Sequence, residues 1–163
     1  MSRYRPPQKR GAPYITADGF ANLEAESKAL WTRRAHVTKA LAAAAAEGDR
    51  SENAEYIYRK KELREIDRRI RYLQTRMPTL KIVDTTPDDQ EKVFFGAWVA
   101  LEDEQGREIE HRIVGSDEAK PEAGLVSVDS PLAKALLKRG LDDQVTVRSP
   151  SGEQRYVIVA IRY

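Results

Sequence analysis

Apolar side chains recur every three or four residues through Phe20, Leu23, Leu30, Val37, Leu41 and Ala44, with Ser27 and Arg34 as polar members of the same row. That period places them on one side of a helix, so residues 20–44 are predicted to be helical with a single buried seam. After Glu47-Gly48-Asp49 the spacing resumes at Leu63, Ile66, Ile70, Leu73, Met77 and Leu80, and Pro78 marks the end of regular helix or a break near it. Neither helix has a second apolar face to bury, so the two are predicted to pack on each other as an antiparallel hairpin. At about 1.5 Å of rise per residue, some 30 residues make an arm of roughly 45 Å. The small residues from Ala42 to Ala46 favour helix while adding little bulk, which keeps the turn end slim.

Beyond a Thr85-Thr86-Pro87-Asp88-Asp89 stretch the period changes. The run from Val93 to Leu101 is rich in β-branched and aromatic residues and is followed by a Glu-Asp-Glu-Gln-Gly turn, and Ile109, His111 and Ile113 alternate as in a strand. Leu125-Val126-Ser127-Val128 predicts another short strand. Asp129-Ser130-Pro131 predicts the start of a helix over 132–139, with Ser or Asp as cap, Pro in the first turn and Gly140 just past the end. Residues 144–148 and 156–161, joined through Ser149-Pro150-Ser151-Gly152, predict a closing hairpin. The fold class is thus α+β: a helical hairpin, then a small antiparallel-sheet domain with one main helix.

Composition agrees with a wet arm. Of 163 residues 33% are charged and 40% hydrophobic, and no run approaches the roughly 20 apolar residues of a membrane span. There is no cysteine, which removes disulfides, zinc–thiolate sites and thiol nucleophiles and fits a reducing, cytoplasmic setting. The basic N-terminal residues lack the apolar core of a secretory signal. Charge is divided unevenly: residues 1–83 hold 18 Lys/Arg against 10 Asp/Glu, and residues 84–163 hold 10 against 16, giving +8 and −6. The first half is suited to an anionic partner and the second to a different one.

Candidate chemistry concentrates at the turn, Gly48-Asp49-Arg50-Ser51-Glu52-Asn53-Ala54-Glu55-Tyr56. Asp49 and Glu52 have the spacing of a capping box, and spacing alone favours that role. Two carboxylates three residues apart also make half of a site for a hard cation such as magnesium, to be completed by a partner. Behind them Lys60, Arg64, Arg68 and Arg71 fall on one helix face, with Arg59, Lys61 and Arg69 beside it. Eight cations face four acids between Glu55 and Arg76, so a phosphate track and an ordinary solvated face stand about level. Tyr56 and Tyr58 suit either base stacking or packing over the small-residue seam. His36 and His111 have no third ligand in view, and Trp98 reads as core.

These segments resemble a known family, the bacterial transcript cleavage factors of RNA polymerase, in its GreB branch. The resemblance is carried by the turn motif above, by Lys60-Lys61-Glu62-Leu63-Arg64-Glu65-Ile66-Asp67-Arg68-Arg69, by Lys81-Ile82-Val83-Asp84, by Lys92-Val93-Phe94-Phe95-Gly96-Ala97-Trp98-Val99, and by Asp129-Ser130-Pro131-Leu132-Ala133-Lys134-Ala135-Leu136-Leu137. It spans about residues 14–163. It implies a coiled-coil hairpin over 14–83 with its tip near 47–53, a linker over 84–92, and a C-terminal domain over 93–163 similar in fold to FKBP prolyl isomerases without their activity. Residues 1–13, a basic extension with Arg3, Arg5, Lys9 and Arg10, are given no task by the resemblance; disorder is the main expectation and an auxiliary nucleic-acid contact the lesser one.

The function the resemblance implies is assistance in trans. The C-terminal domain docks at the rim of the polymerase secondary channel, and the hairpin tip helps the polymerase's own active site to hydrolyse the RNA of backtracked complexes. Asp49 and Glu52 would be the acidic pair that positions magnesium and water, with Asn53 as tip neighbour. Arg59, Lys60, Lys61, Arg64, Arg68 and Arg71 would face the nascent RNA 3′ end, and Asp129, Ser130, Pro131 and Leu132 would dock. Magnesium would be shared with the polymerase, no cofactor is expected on the isolated protein, no membrane is involved, and a monomer is expected. The rivals are a channel-occupying regulator without cleavage stimulation, a free nucleic-acid-binding coiled coil, and a prolyl isomerase suggested by fold analogy alone.

Overall fold

The computed structural model describes residues 9–48 and 53–163, which divide into two compact units. One is the helical segment Phe20–Leu80, and the other is Lys81–Tyr163 together with the chain up to Gly19.

The helical unit contains most of α1 (Ala17–Ala45) and all of α2 (Ala54–Arg76). Val37, Ile66 and Ile70 are buried together, with Leu30 and Leu63 packed against them, as the three-four spacing predicts. The helices run antiparallel, since Glu26 pairs with Arg69, Arg33 with Glu62, and Ala44 meets Asn53. The polar seam position Arg34 is explained by Asp67, whose Oδ1 accepts from its Nε at 2.7 Å. At Met77–Thr79 the chain tightens into a 3-10 turn containing Pro78, which lacks the N–H needed to continue the α-helical ladder.

In the second unit a five-stranded sheet has the order β5-β4-β3-β7-β6. Its strands are β3 (Trp98–Asp103), β4 (Glu108–Val114), β5 (Leu125–Ser127), β6 (Gln144–Ser149) and β7 (Gly152–Arg162). All neighbours are antiparallel except β5, which joins β4 in parallel. The expected purely antiparallel sheet is therefore mixed. Helix α3 (Pro131–Leu136) lies on its apolar face, where Val99, Leu101, Ile113, Ala133, Leu136, Val145 and Ile158 form the core.

Three boundaries differ from the sequence expectation. The strand expected from Val93 begins only at Trp98, because Gly96 at φ 88° turns the chain and its N–H bonds to Ile113 O. The helix expected over 132–139 stops at Leu136, since Lys138 takes φ 66° and its N–H is drawn to Val93 O. Residues 14–16 and 81–83, placed in the hairpin by sequence, are strands β1 (Tyr14–Thr16) and β2 (Lys81–Val83). They pair in parallel and count with the sheet unit. Among the described residues no helix is long and apolar enough to cross a membrane.

Candidate functional site

Helix α2 begins at Ala54, and its cap is Asn53. The extended Asn53 backbone directs its side-chain Oδ1 to accept from Tyr56 N–H at 3.1 Å, while Nδ2 donates to Ala44 O at 2.8 Å. The expectation that Asp49 caps this helix, with Glu52 folding back, is thereby corrected: the donor that a cap must satisfy is already served by Asn53. Asp49, Arg50, Ser51 and Glu52 themselves lie outside the described residues. Asn53, expected as a tip neighbour of the acids, has both ends of its amide engaged, which makes it a positioning residue.

Along α2 the expected basic stripe separates into two sets. Arg59 is held by Glu55 at 2.7 Å and Glu62 at 3.0 Å, and Arg69 by Glu26 at 2.6 Å, so both are engaged within the helix pair. The Glu55 bond first, then Glu62, raises the Arg59 guanidinium above its ordinary value. On Glu62, burial pushes the carboxyl up, but hydrogen bonds from Arg33 and Arg59 outweigh it and hold it low. Lys60, Lys61, Arg64, Arg68 and Arg71 are exposed and form no ion pair with another described residue. The Lys60 Nζ stands 5.7 Å from the Tyr56 ring, and Tyr58 is exposed beside Arg59. The open cations thus share a face with an aromatic at its turn end, an arrangement that attracts phosphates and tolerates any base.

The 129–132 loop is shaped by its own backbone needs. Ser130 Oγ accepts from Ala133 N–H at 3.1 Å as N-cap of α3, Pro131 occupies the first helical position and is exposed, and Leu132 packs against the core. Asp129 Oδ2 accepts from Ala12 N–H at 2.8 Å. The end of the extension expected to be disordered is therefore anchored from Gly11 onward, a contact for which the sequence offers no periodic or motif signal. Also unforeseen is Glu118, whose carboxylate accepts from Thr16 N–H and Oγ1–H and from Gly115 N–H.

Among the described residues no group of three or more His, Asp or Glu is placed to hold a metal ion. His111 has a buried Nδ1 without a hydrogen-bond partner, and burial lowers its pKa against a smaller opposing effect of the Gly124 carbonyl. Trp98, expected as core, lies half-buried on the sheet with the Arg162 and Arg112 guanidiniums 4.6 and 5.7 Å from its ring centre.

Known proteins bear on both units. Residues 13–82 match the family described as transcription elongation factor, N-terminal, and residues 87–163 the one described as transcription elongation factor, GreA/GreB, C-term. Transcription elongation factor GreB of Pseudomonas aeruginosa is 54% identical over 164 residues, covering 100% of this chain and 98% of its own. GreB of Xanthomonas axonopodis pv. citri is 54% identical over 165 residues, again with 100% and 98% covered. The crystal structure of a GreA factor homolog 1 protein of Thermus thermophilus is 25% identical, with a TM-score of 0.42 over 92% of this chain and 98% of that one.

Proposed function

Because the chain belongs to the GreA/GreB family of transcription elongation factors, we propose that it acts in the cytoplasm on RNA polymerase, entering the secondary channel tip first to stimulate cleavage of backtracked nascent RNA. It is an activator in trans and turns over nothing alone. The sheet unit docks through Asp129, Ser130, Pro131 and Leu132, and Lys60, Lys61, Arg64, Arg68 and Arg71 follow the phosphates of the extruded RNA.

The observation that carries this reading is the division of labour at the turn. Among the described residues Asn53 caps α2 and ties it to Ala44, so the N-cap position is not taken by the acids that precede it. Asp49 and Glu52 are then suited to an external task. Two hard oxygen donors fit magnesium, but two ligands hold it weakly, so the polymerase must supply the rest of the shell. Magnesium bound there would supply Lewis-acid activation of a water for phosphodiester hydrolysis. The chain's contribution is to present two carboxylates and orient that water, next to the Asn53 cap of α2.

The test is cleavage in a stalled, backtracked elongation complex with magnesium. Wild type should release a 3′ RNA fragment rapidly, whereas Asp49→Asn and Glu52→Gln should remain folded and polymerase-bound yet lose stimulation. Tight binding of wild type without any stimulation would refute the proposal and leave a channel-occupying regulator.

A further inference from the structure

Arg33 and Arg34 follow each other on α1 and reach across to different partners on α2, Arg33 to Glu62 and Arg34 to Asp67. Successive residues of a helix point about 100° apart, so the two arginines lie on either side of the buried Val37. The two ion pairs therefore mark the two flanks of the helix pair. On the Arg33 flank acids abound: Glu26 pairs with Arg69, Glu55 and Glu62 pair with Arg59, and Glu65 follows Glu62 by one turn.

The Arg34 flank has the opposite character. On α2, Arg64 precedes Asp67 by one turn, Arg71 follows it by one turn, and Lys60 lies one turn before Arg64. These three cations are exposed, and Asp67, the acid among them, is taken by Arg34. On α1, Trp31 precedes Arg34 by one turn and so lies on this flank, where Glu24, two turns further back, is the next acid. Trp31 is 48% exposed, and the Arg34 guanidinium stands 5.9 Å from its ring centroid. Because Arg34 is itself held by Asp67, the ring has a fixed neighbour on one side and open surface elsewhere. Among the described residues of α1 it is the one large apolar side chain left exposed.

We propose that Trp31 is a base-stacking residue for the extruded RNA. This deepens the reading of α2 as a phosphate track and rests on it. The helices are antiparallel, so Trp31, one turn before Arg34, is level with the turn of α2 that follows Asp67 and carries Arg71. Packed helix axes lie about 8–10 Å apart, which lets a nucleotide whose phosphate meets Arg71 turn its base toward α1. A stacked base gains from the ring face whatever its identity, so the contact adds affinity without sequence preference. The Arg34 neighbour restrains the ring before the base arrives, which lowers the ordering cost. RNA is favoured over a protein surface because open cations flank the ring and no second large apolar side chain of α1 is exposed beside it, whereas a protein anchor needs an apolar surround.

The experiment measures affinity of the full chain for two elongation complexes, one backtracked with extruded RNA and the same complex before backtracking. Trp31→Ala should bind the backtracked complex about tenfold more weakly and the other one as wild type does. Trp31→Tyr should bind both nearly as wild type does, since it keeps an aromatic face, and Trp31→Leu should be as weak as Trp31→Ala. Helical melting should be the same in all of them, because Trp31 lies outside the buried seam. An equal loss in both complexes would overturn the proposal and assign Trp31 to a protein surface. So would recovery by Trp31→Leu, or wild-type affinity of Trp31→Ala. Arg64→Ala combined with Arg71→Ala should also lose affinity only for the backtracked complex. Wild-type binding by that double variant would instead refute the phosphate track, and with it the path assigned to the strand.

Discussion

Asn53 Nδ2 donates to the carbonyl of Ala44 at 2.8 Å, so one side chain closes the end of α1 while its Oδ1 opens α2 through Tyr56 N–H. The last carbonyls of one helix and the first amides of the next are groups that helices leave unsatisfied, and here a single amide serves both. The Ala44 carbonyl also accepts from Glu47 N–H at 3.2 Å, so Asn53 adds a second tie there and supplies the cap acceptor for Tyr56 N–H.

Asn53→Ala should therefore cost about 1–2 kcal/mol, read as a lower thermal midpoint of the helical signal. Asn53→Asp keeps the capping acceptor, loses the donor to Ala44 and should cost less. Because Asn53 directly follows the Asp49–Glu52 segment proposed to act in cleavage and ties α2 to Ala44, cleavage stimulation at saturating factor should fall further for Asn53→Ala than polymerase affinity does.

Glu62 links the helices through Arg33 on α1 and Arg59 on α2. Burial raises its pKa, but the two guanidiniums outweigh burial and hold it below the ordinary carboxylate value. The unfolded chain then binds the proton first as pH falls, so the stabilisation is complete above the unfolded value of about 4.3 and is lost as pH drops through the lower folded one. Melting of the helical signal from pH 7 to 3 should show Glu62→Gln weaker at neutral pH and converging on wild type in acid. High salt should narrow the same difference, since these groups are near solvent.

Glu118 accepts three hydrogen bonds, two from Thr16 and one from Gly115, and Thr16 Oγ1 in turn accepts from Gly19 N–H in the first turn of α1. Glu118→Ala should strand the Thr16 and Gly115 amides and cost about 2–3 kcal/mol. Gly115→Ala should cost at least as much, because its Cβ would meet the Tyr14 backbone oxygen at 2.0 Å rather than a flexible side chain. Both are checked by denaturant unfolding, with hydrogen exchange at β1 and β2 rising in each.

Those contacts also mark where sequence reading stops. The hairpin was legible because Leu30, Val37, Leu63, Ile66 and Ile70 repeat at a period that only a one-faced helix satisfies. The Ser130 cap and the closing hairpin of β6 and β7 were legible because capping and turn chemistry is local. By contrast β1 and β2 are three residues each, too short for a period, and pair across 67 positions at Tyr14 and Lys81. The cap of α2 was misassigned because Asp49-Arg50-Ser51-Glu52 and Asn53 offer overlapping capping signals, and only geometry chooses between them. Asp129 and Ala12 are bonded over a separation of 117, which no local pattern encodes.

His111 lies on β4 opposite Val99, with Nδ1 buried and unpaired. Burial disfavours its charged form and lowers its pKa, while the Gly124 carbonyl opposes this more weakly. At pH well above the ordinary value of 6.5 the ring is neutral in both folded and unfolded chains and contributes no pH dependence. As pH falls through that value the unfolded chain takes up the proton first, so stability should decline on the acid side of 6.5 and level off once the folded state also protonates. His111→Phe removes both the titration and the unpaired nitrogen. It should remove this decline on the acid side of pH 6.5 and make the sheet unit more stable than wild type there. Denaturant midpoints followed by tryptophan fluorescence in a Trp31→Phe background, which leaves Trp98 as the emitter, check it, and an unchanged pH slope in His111→Phe would assign the decline to the carboxylates.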